Sequence, residues 1–212
     1  MKIVVFLNGE YCYSNEFIKT ITEKAFVFCA DGGANACFRY NIKPNKIVGD
    51  LDSVDSEILN YYKKEQVEIE KYPVDKDFSD FELILNLLQE ENMISNNNIF
   101  ILGALGGRID YTINNLMLLE GLPNIIMISN NEEIYYRENP FVIESKKGTE
   151  VSFILLDDEI TNMTLKGFKY NIENQKILRK TSKLMSNEIV SNKSEVLFDK
   201  GKMLVVLRKG KL

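Results

Sequence analysis

Up to about residue 121, the apolar residues of this chain follow two alternating rhythms. Short unbroken runs at Ile3–Leu7, Ala25–Cys29, Lys46–Val48, Val67–Tyr72 and Ile99–Leu102 predict strands. Helical patterns lie between them, and two are well marked. One runs from Asp80 to about Glu91, with Phe81, Ile84, Leu85 and Leu88 on one face. The other runs from about Asp110 to Glu120, with Ile113, Leu116, Met117 and Glu120 at the same spacing. This alternation predicts an α/β domain with a βα-type parallel sheet. After Pro123 the segments become short, rich in β-branched residues and separated by "KKG", "KGF" and "DKG", which predicts an all-β second domain. The expected division is therefore residues 1–123 and 124–212. "EVLFDKGKMLVVL" reads as a hairpin joined through Asp199-Lys200-Gly201.

The polar residues gain meaning from their position at the end of each strand. In order come Asn8-Gly9, "ADGGAN", "GDLDS", "VDKDFSD" and "GALGGRID". Parallel strands would deliver all five loops to one sheet edge, where open α/β folds take their ligands. Acids are crowded there: "DKDFSDFE" holds four in eight residues. Ser79 and Glu82 read as a capping box and Asp80 suits a first helical turn, which leaves Asp75 and Asp77 unexplained. Asp55 or Ser56 would serve as the next such cap. An acid at a helix N-terminus gains roughly 0.3–1 kcal/mol, whereas two carboxylates about 4 Å apart repel by roughly 4 kcal/mol at an effective dielectric of 20. Capping therefore cannot hold a convergent cluster of Asp50, Asp52, Asp77 and Asp80 ionised. A hard divalent cation such as Mg²⁺ can.

"GALGGR" supplies the opposite polarity. Gly103, Gly106 and Gly107 let backbone N–H groups approach a phosphate, and Arg108 can fork two of its oxygens. A tight strand-to-helix turn explains the same glycines, and the GxxxxGK[ST] loop is absent. Gly32 and Gly33 of "ADGGAN" allow an unusual backbone path, while Asp31 could cap the next helix or accept from a ribose hydroxyl.

Composition narrows the chemistry further. The chain has no histidine, which excludes Ser-His-Asp and Cys-His catalysis and His-ligated zinc. A net charge of −5 argues against nucleic-acid binding. Cys12, Cys29 and Cys37 have no metal-ligand spacing, and their odd number leaves a thiol unpaired, as suits a reducing cytoplasm. The run ended by Asn8-Gly9 is too short for a signal-peptide core or a membrane span.

Taken in order, "ADGGAN", "GDLDS", "DKDFSDFE" and "GALGGRIDYTINNL" resemble the thiamine pyrophosphokinase family, and "EVSFILL", "LKGFKYNI", "MSNEI" and "GKMLVVL" are similar to its β-domain. The resemblance implies Mg-dependent transfer of a pyrophosphoryl group from ATP to thiamine, giving thiamine diphosphate and AMP. It implies a Rossmann-like domain for nucleotide and metal, and a β-sandwich that completes the vitamin site in a homodimer with shared active sites. Carried over by motif, Asp50, Asp52, Asp77 and Asp80 would surround metal and triphosphate. Asp31, Gly32 and Gly33 would lie on the nucleotide side, Gly106, Gly107 and Arg108 at the phosphates, and Ser186 and Asn187 near thiamine. Ser79 replaces the commoner Thr, Tyr111 stands where His is frequent, and no Trp is present to stack on the vitamin. Two other readings are a haloacid dehalogenase-like phosphatase with Asp50 of "GDLDSV" as nucleophile, and a non-catalytic nucleotide-binding module.

Overall fold

The computed structural model describes residues 1–73, 78–95 and 97–209. Two compact units divide the described residues: Met1–Leu118 with Asn124–Asn130, and Leu119–Pro123 with residues 131–209.

The first unit alternates strands and helices: β1 (Lys2–Phe6), α1 (Asn15–Thr22), β2 (Ala25–Ala30), α2 (Gly33–Arg39), β3 (Lys46–Gly49), α3 (Ser56–Lys64), β4 (Glu68–Lys71), α4 (Asp80–Glu90), β5 (Asn98–Leu102), α5 (Ile109–Met117) and β6 (Ile125–Ile128). Its six strands pair in the order β6-β5-β1-β2-β3-β4, all parallel. Ile3 through Phe6 of the central β1 are fully buried. A parallel strand covered on both faces has no polar face to show, which is why these runs read as unbroken apolar stretches. One face of the sheet packs Val4, Phe6, Val27 and Ile47 against Ile18 and Ile21 of α1, Cys37 of α2 and Tyr62 of α3. Cys29 and Cys37 are free thiols whose sulfurs lie 3.1 Å apart in this core.

Two expectations change here. β6 joins the parallel sheet beside β5, so the first unit reaches beyond the expected boundary at residue 123. A four-residue apolar run after a proline carries no mark of strand direction. In α5 the face expected from its spacing is turned outward: Ile113 and Met117 are about half exposed, and the buried residue is Asn115, whose amide donates to Ala104 O at 2.8 Å. Periodicity groups residues on a face without saying which way it points. In α4 the pattern holds, with Phe81, Ile84, Leu85 and Leu88 buried and Ser79 capping the amide of Glu82 at 3.2 Å.

On β3, the buried Lys46 bonds Glu70 at 2.7 Å and Glu68 at 2.9 Å, both on β4. Burial alone would lower the lysine's pKa, but the hydrogen bonds to the two carboxylates outweigh it and push the value up.

The second unit is antiparallel: β7 (Glu132–Arg137), β8 (Phe141–Glu144), β9 (Glu150–Leu155), β10 (Glu159–Lys166), β11 (Ile172–Leu178), β12 (Asn187–Glu188), β13 (Lys193–Leu197) and β14 (Met203–Arg208). Within it β12-β9-β14-β7 lie side by side, as do β11-β10-β13-β8. The expected hairpin is therefore overturned. β13 pairs with β8 and β10, while β14 pairs with β7 and β9. Asp199-Lys200-Gly201 instead carries the chain from one group of strands to the other, held by Thr161 N–H donating to Lys200 O at 3.0 Å. Turn residues fix where a chain bends, not which strand the next segment joins.

Candidate active site

Every loop that follows a strand of the first unit leaves from the carboxyl edge of a parallel sheet. β1 lies between β2 and β5, so the connections wind outward in both directions from it. That reversal is where open α/β sheets leave a crevice. A cleft of about 640 Å³ lies there, and Asp31, Asp50, Asp52, Asp80, Gly106, Gly107 and Arg108 are among its lining residues. It is within the usual range for small-molecule sites, roughly 300–1,000 Å³.

Carboxylate oxygens of Asp31, Asp50 and Asp52 all lie within 4.8 Å of one another. Strand ends put them there. Asp31 follows β2 in a left-handed conformation, φ 46°, with its amide donating to Val48 O of β3 at 2.8 Å. Asp50 follows β3 and accepts from the amide of Asp52 at 3.2 Å, around a Leu51 held at φ 67°. A bulky residue at positive φ is a genuine outlier, sustained only when its surroundings fix it. Asn35 of α2 supplies part of that support by donating to Ser53 O at 2.8 Å and accepting from Asp55 N at 3.0 Å.

Asp31 is 3% exposed, and its Oδ1 has no hydrogen-bond partner among the described residues. Burial raises its pKa, the Ser53 hydroxyl opposes this, and the charges of Asp80 and Asp50 add to the rise. An orphaned buried carboxylate oxygen beside two further carboxylates fits a divalent cation: the donors are all hard oxygens, as Mg²⁺ requires.

The structure brings together Asp50, Asp52 and Asp80 in one cleft, but Asp80 lies outside the 4.8 Å group, and Asp31 takes a place in it. Asp77 and Asp75 lie outside the described residues. Gly32 and Gly33 serve close approach more than an unusual path: a Cβ on Gly33 would stand 2.0 Å from Phe6 O, so α2 can start against β1 only with glycine there. Arg108 grips Asp110 through two hydrogen bonds, at 2.5 and 3.2 Å, and lies over the ring of Tyr111 at 4.5 Å. Sequence reasoning missed Glu10, whose carboxylate accepts from Gly107 N at 2.9 Å. Its only sequence signal was its place two residues after the first strand loop begins.

Of the pair expected near thiamine, Ser186 is exposed at φ 51°. Asn187 is buried, and its amide donates to Tyr170 O at 2.8 Å and accepts from Tyr170 N at 3.0 Å. Its side chain is thereby engaged with the backbone of Tyr170.

A parallel sheet with acidic and glycine-bearing loops at one edge, followed by an antiparallel β unit, defines a class of α/β proteins that take ligands at the strand ends. Within that class the chain belongs to the thiamin pyrophosphokinase family. Residues 17–129 match the family model of the thiamin pyrophosphokinase catalytic domain, and residues 138–203 match that of its vitamin B1 binding domain. It is 32% identical over 171 residues to thiamine pyrophosphokinase 3 of Oryza sativa, an alignment covering 69% of this chain and 64% of that relative's length. To the thiamine pyrophosphokinase of Bacillus subtilis it is 28% identical over 182 residues, covering 83% and 84%. The crystal structure of the thiamine pyrophosphokinase from Bacillus subtilis superposes with a TM-score of 0.85 at 25% identity over all of both chains.

Proposed function

We propose that this chain transfers a pyrophosphoryl group from ATP to the hydroxyl of thiamine, giving thiamine diphosphate and AMP. Family membership supports the activity, and the approach of Asp31, Asp50 and Asp52 to within 4.8 Å at the sheet edge carries it to these residues. Asp31, Asp50 and Asp52 would hold Mg²⁺, with Asp80 lining the same cleft. When bound, the metal neutralises phosphate charge.

The chain's own groups do the positioning. Amides of Gly106 and Gly107 would face phosphate oxygens, and Arg108 would exchange Asp110 for them, matching its fork to two oxygens. Phosphoryl transfer asks chiefly for such positioning and charge stabilisation. The hydroxyl of thiamine would attack the β-phosphorus as AMP leaves, its proton passing to a carboxylate of the cleft, since no histidine is present. The first unit would act as a Rossmann-like nucleotide and metal domain, and the second as a β-sandwich contributing Ser186 to the vitamin site. A homodimer with shared sites, working in the cytoplasm, completes the reading; the exposed stripe of Ile109, Ile113 and Met117 on α5 is compatible with a covered face. No helix among the described residues is long and apolar enough to cross a membrane. The comparisons lend no support to the phosphatase or to the non-catalytic module.

The test is to incubate the protein with thiamine, ATP and Mg²⁺. AMP should accumulate in step with thiamine diphosphate, and accumulation of ADP instead would overturn the reading. Asp80→Asn should lower kcat by about 100-fold or more, the order seen when one charge-stabilising group is removed, with the fold intact. A wild-type rate would remove Asp80 from the site.

A further inference from the structure

Cys29 lies near the end of β2 and Cys37 lies on α2, eight positions further along the chain, with their sulfurs in contact at 3.1 Å. Both are fully buried free thiols. A buried cysteine on its own serves as a small apolar residue. Two that touch can do more: a disulfide bond is about 2.0 Å long, so an approach of about 1 Å would join them. In reducing compartments such links form transiently and report oxidant.

The segment between the two sulfurs carries Asp31, Gly32 and Gly33. The start of α2 already lies as close to β1 as its backbone allows, since a Cβ on Gly33 would stand 2.0 Å from Phe6 O. Drawing Cys37 toward Cys29 must therefore be absorbed within that segment, where Asp31 sits at φ 46° with its amide bonded to Val48 O. Asn35, in the same helix as Cys37, bonds Ser53 O and Asp55 N, directly beyond Asp50 and Asp52. One covalent link would thus disturb the carboxylates of Asp31, Asp50 and Asp52 from both sides.

Access is through α2 itself. The helix has seven residues and no side-chain hydrogen bond at its N-cap, and so short a helix is held by its packing rather than by its own propensity. Local opening of such an element uncovers what lies beneath it. A small oxidant can use that opening, whereas a bulky disulfide such as oxidised glutathione needs far more room.

We propose that Cys29 and Cys37 form an oxidative modification site that takes a small peroxide, and that closing their disulfide loosens the hold of the neighbouring carboxylates on Mg²⁺. One sulfur, as thiolate, takes a hydroxyl from hydrogen peroxide and becomes a sulfenic acid as the O–O bond breaks and hydroxide leaves. The second sulfur gives up its proton and attacks the first; the S–S bond forms, the S–O bond breaks and hydroxide leaves again. The two thiol protons and the two hydroxides make two waters, so the dithiol is oxidised and the peroxide reduced. The modification stands on the thiols alone, while its effect rests on the metal reading of the cleft.

The test uses the full chain with its exposed third thiol removed, Cys12→Ser, so that only the pair can react. After stoichiometric hydrogen peroxide it should lose the mass of two hydrogen atoms, yield a peptide linking Cys29 to Cys37 and regain both thiols with dithiothreitol. Oxidised glutathione should leave it unchanged. Thiols that stay free after peroxide, or that gain oxygen without linking, overturn the site, and a mixed disulfide with glutathione overturns its restriction to small oxidants. Calorimetric titration with Mg²⁺ then compares the two forms. The linked form should bind about tenfold more weakly, the low end of what a disturbed supporting shell costs a metal site. Cys37→Ala in the same background should bind Mg²⁺ equally before and after peroxide. Equal affinity in linked and unlinked protein, or an equal loss in Cys37→Ala, overturns the coupling. Failure of both forms to bind Mg²⁺ overturns the metal reading and the coupling with it, and the mass measurement alone then decides the modification.

Discussion

The carboxylate of Glu10 sits on the backbone amide of Gly107, 2.9 Å from it. A protein acid thus occupies one of the donors that the glycine loop would offer to a phosphate. Glu10→Gln keeps the acceptor and removes the charge, so metal-free pyrophosphate should bind about three- to tenfold tighter, a change of roughly 0.7–1.4 kcal/mol. Calorimetric titration checks this. Unchanged or weaker binding would mean that Glu10 merely fixes the loop.

Asp31 carries a buried oxygen with no hydrogen-bond partner among the described residues, close to two other acids. Asp31→Asn removes a charge that burial and its neighbours disfavour. Without metal, the variant should be more stable at neutral pH by about 1 kcal/mol, which for a chain of this size is about 2–4 °C in Tm. Added Mg²⁺ should then raise its Tm less than it raises that of the parent. Thermal scans with and without Mg²⁺ decide the matter, and a lower Tm in the metal-free variant contradicts it.

Glu70 has its pKa held down by the hydrogen bond from Lys46 and, after it, by that from Tyr72. A carboxylate whose pKa is lower in the folded state stabilises above the ordinary value of 4.5. That contribution disappears as pH falls through the folded value. Glu70 is 41% exposed, so solvent screening limits the effect. Glu70→Gln should cost under about 1 kcal/mol at pH 7, and the gap should shrink at a pH well below 4.5, as the carboxylate protonates in the folded state too. Denaturant unfolding at the two pH values is the measurement. A gap that persists in acid would place its origin in packing.

Asn187 spans the backbone of Tyr170 with both ends of its amide. Asn187→Ala would leave those part-buried backbone groups without this partner, at a cost of about 1 kcal/mol. Tm should drop by about 2–4 °C. If instead KM for thiamine rises while Tm stays put, the side chain touches substrate.

The sequence carried the central sheet well, because a strand covered on both faces has no polar face to show: Ile3 to Phe6 are apolar without a break, and they are fully buried. Asp50 and Asp52 were legible as site candidates for a related reason, since acids that follow a strand directly have few local uses. What escaped was everything set by partners distant in the chain. Gly33 is dictated by the carbonyl of Phe6, and Asn115 by Ala104 O across a loop. The junction at Gly201 looked like a hairpin because its turn residues are those of a hairpin, while the partners of β13 and β14 are chosen by strands far upstream. Asp31 was read as a ribose or cap residue; its approach to Asp50 follows from β2 and β3 lying side by side, with Ala30 opposite Val48.

The parallel pairing of Lys2 with Asn98 has a consequence for how the protein is made. β1 lies inside its sheet, between β2 and β5, and the flank that faces β5 stays bare until that later strand has been synthesised. Pairings so remote in sequence form slowly, because a long loop must close before any contact rewards it. The crevice between β1 and β5 therefore exists only late in folding, and no nascent fragment that stops short of β5 can possess it.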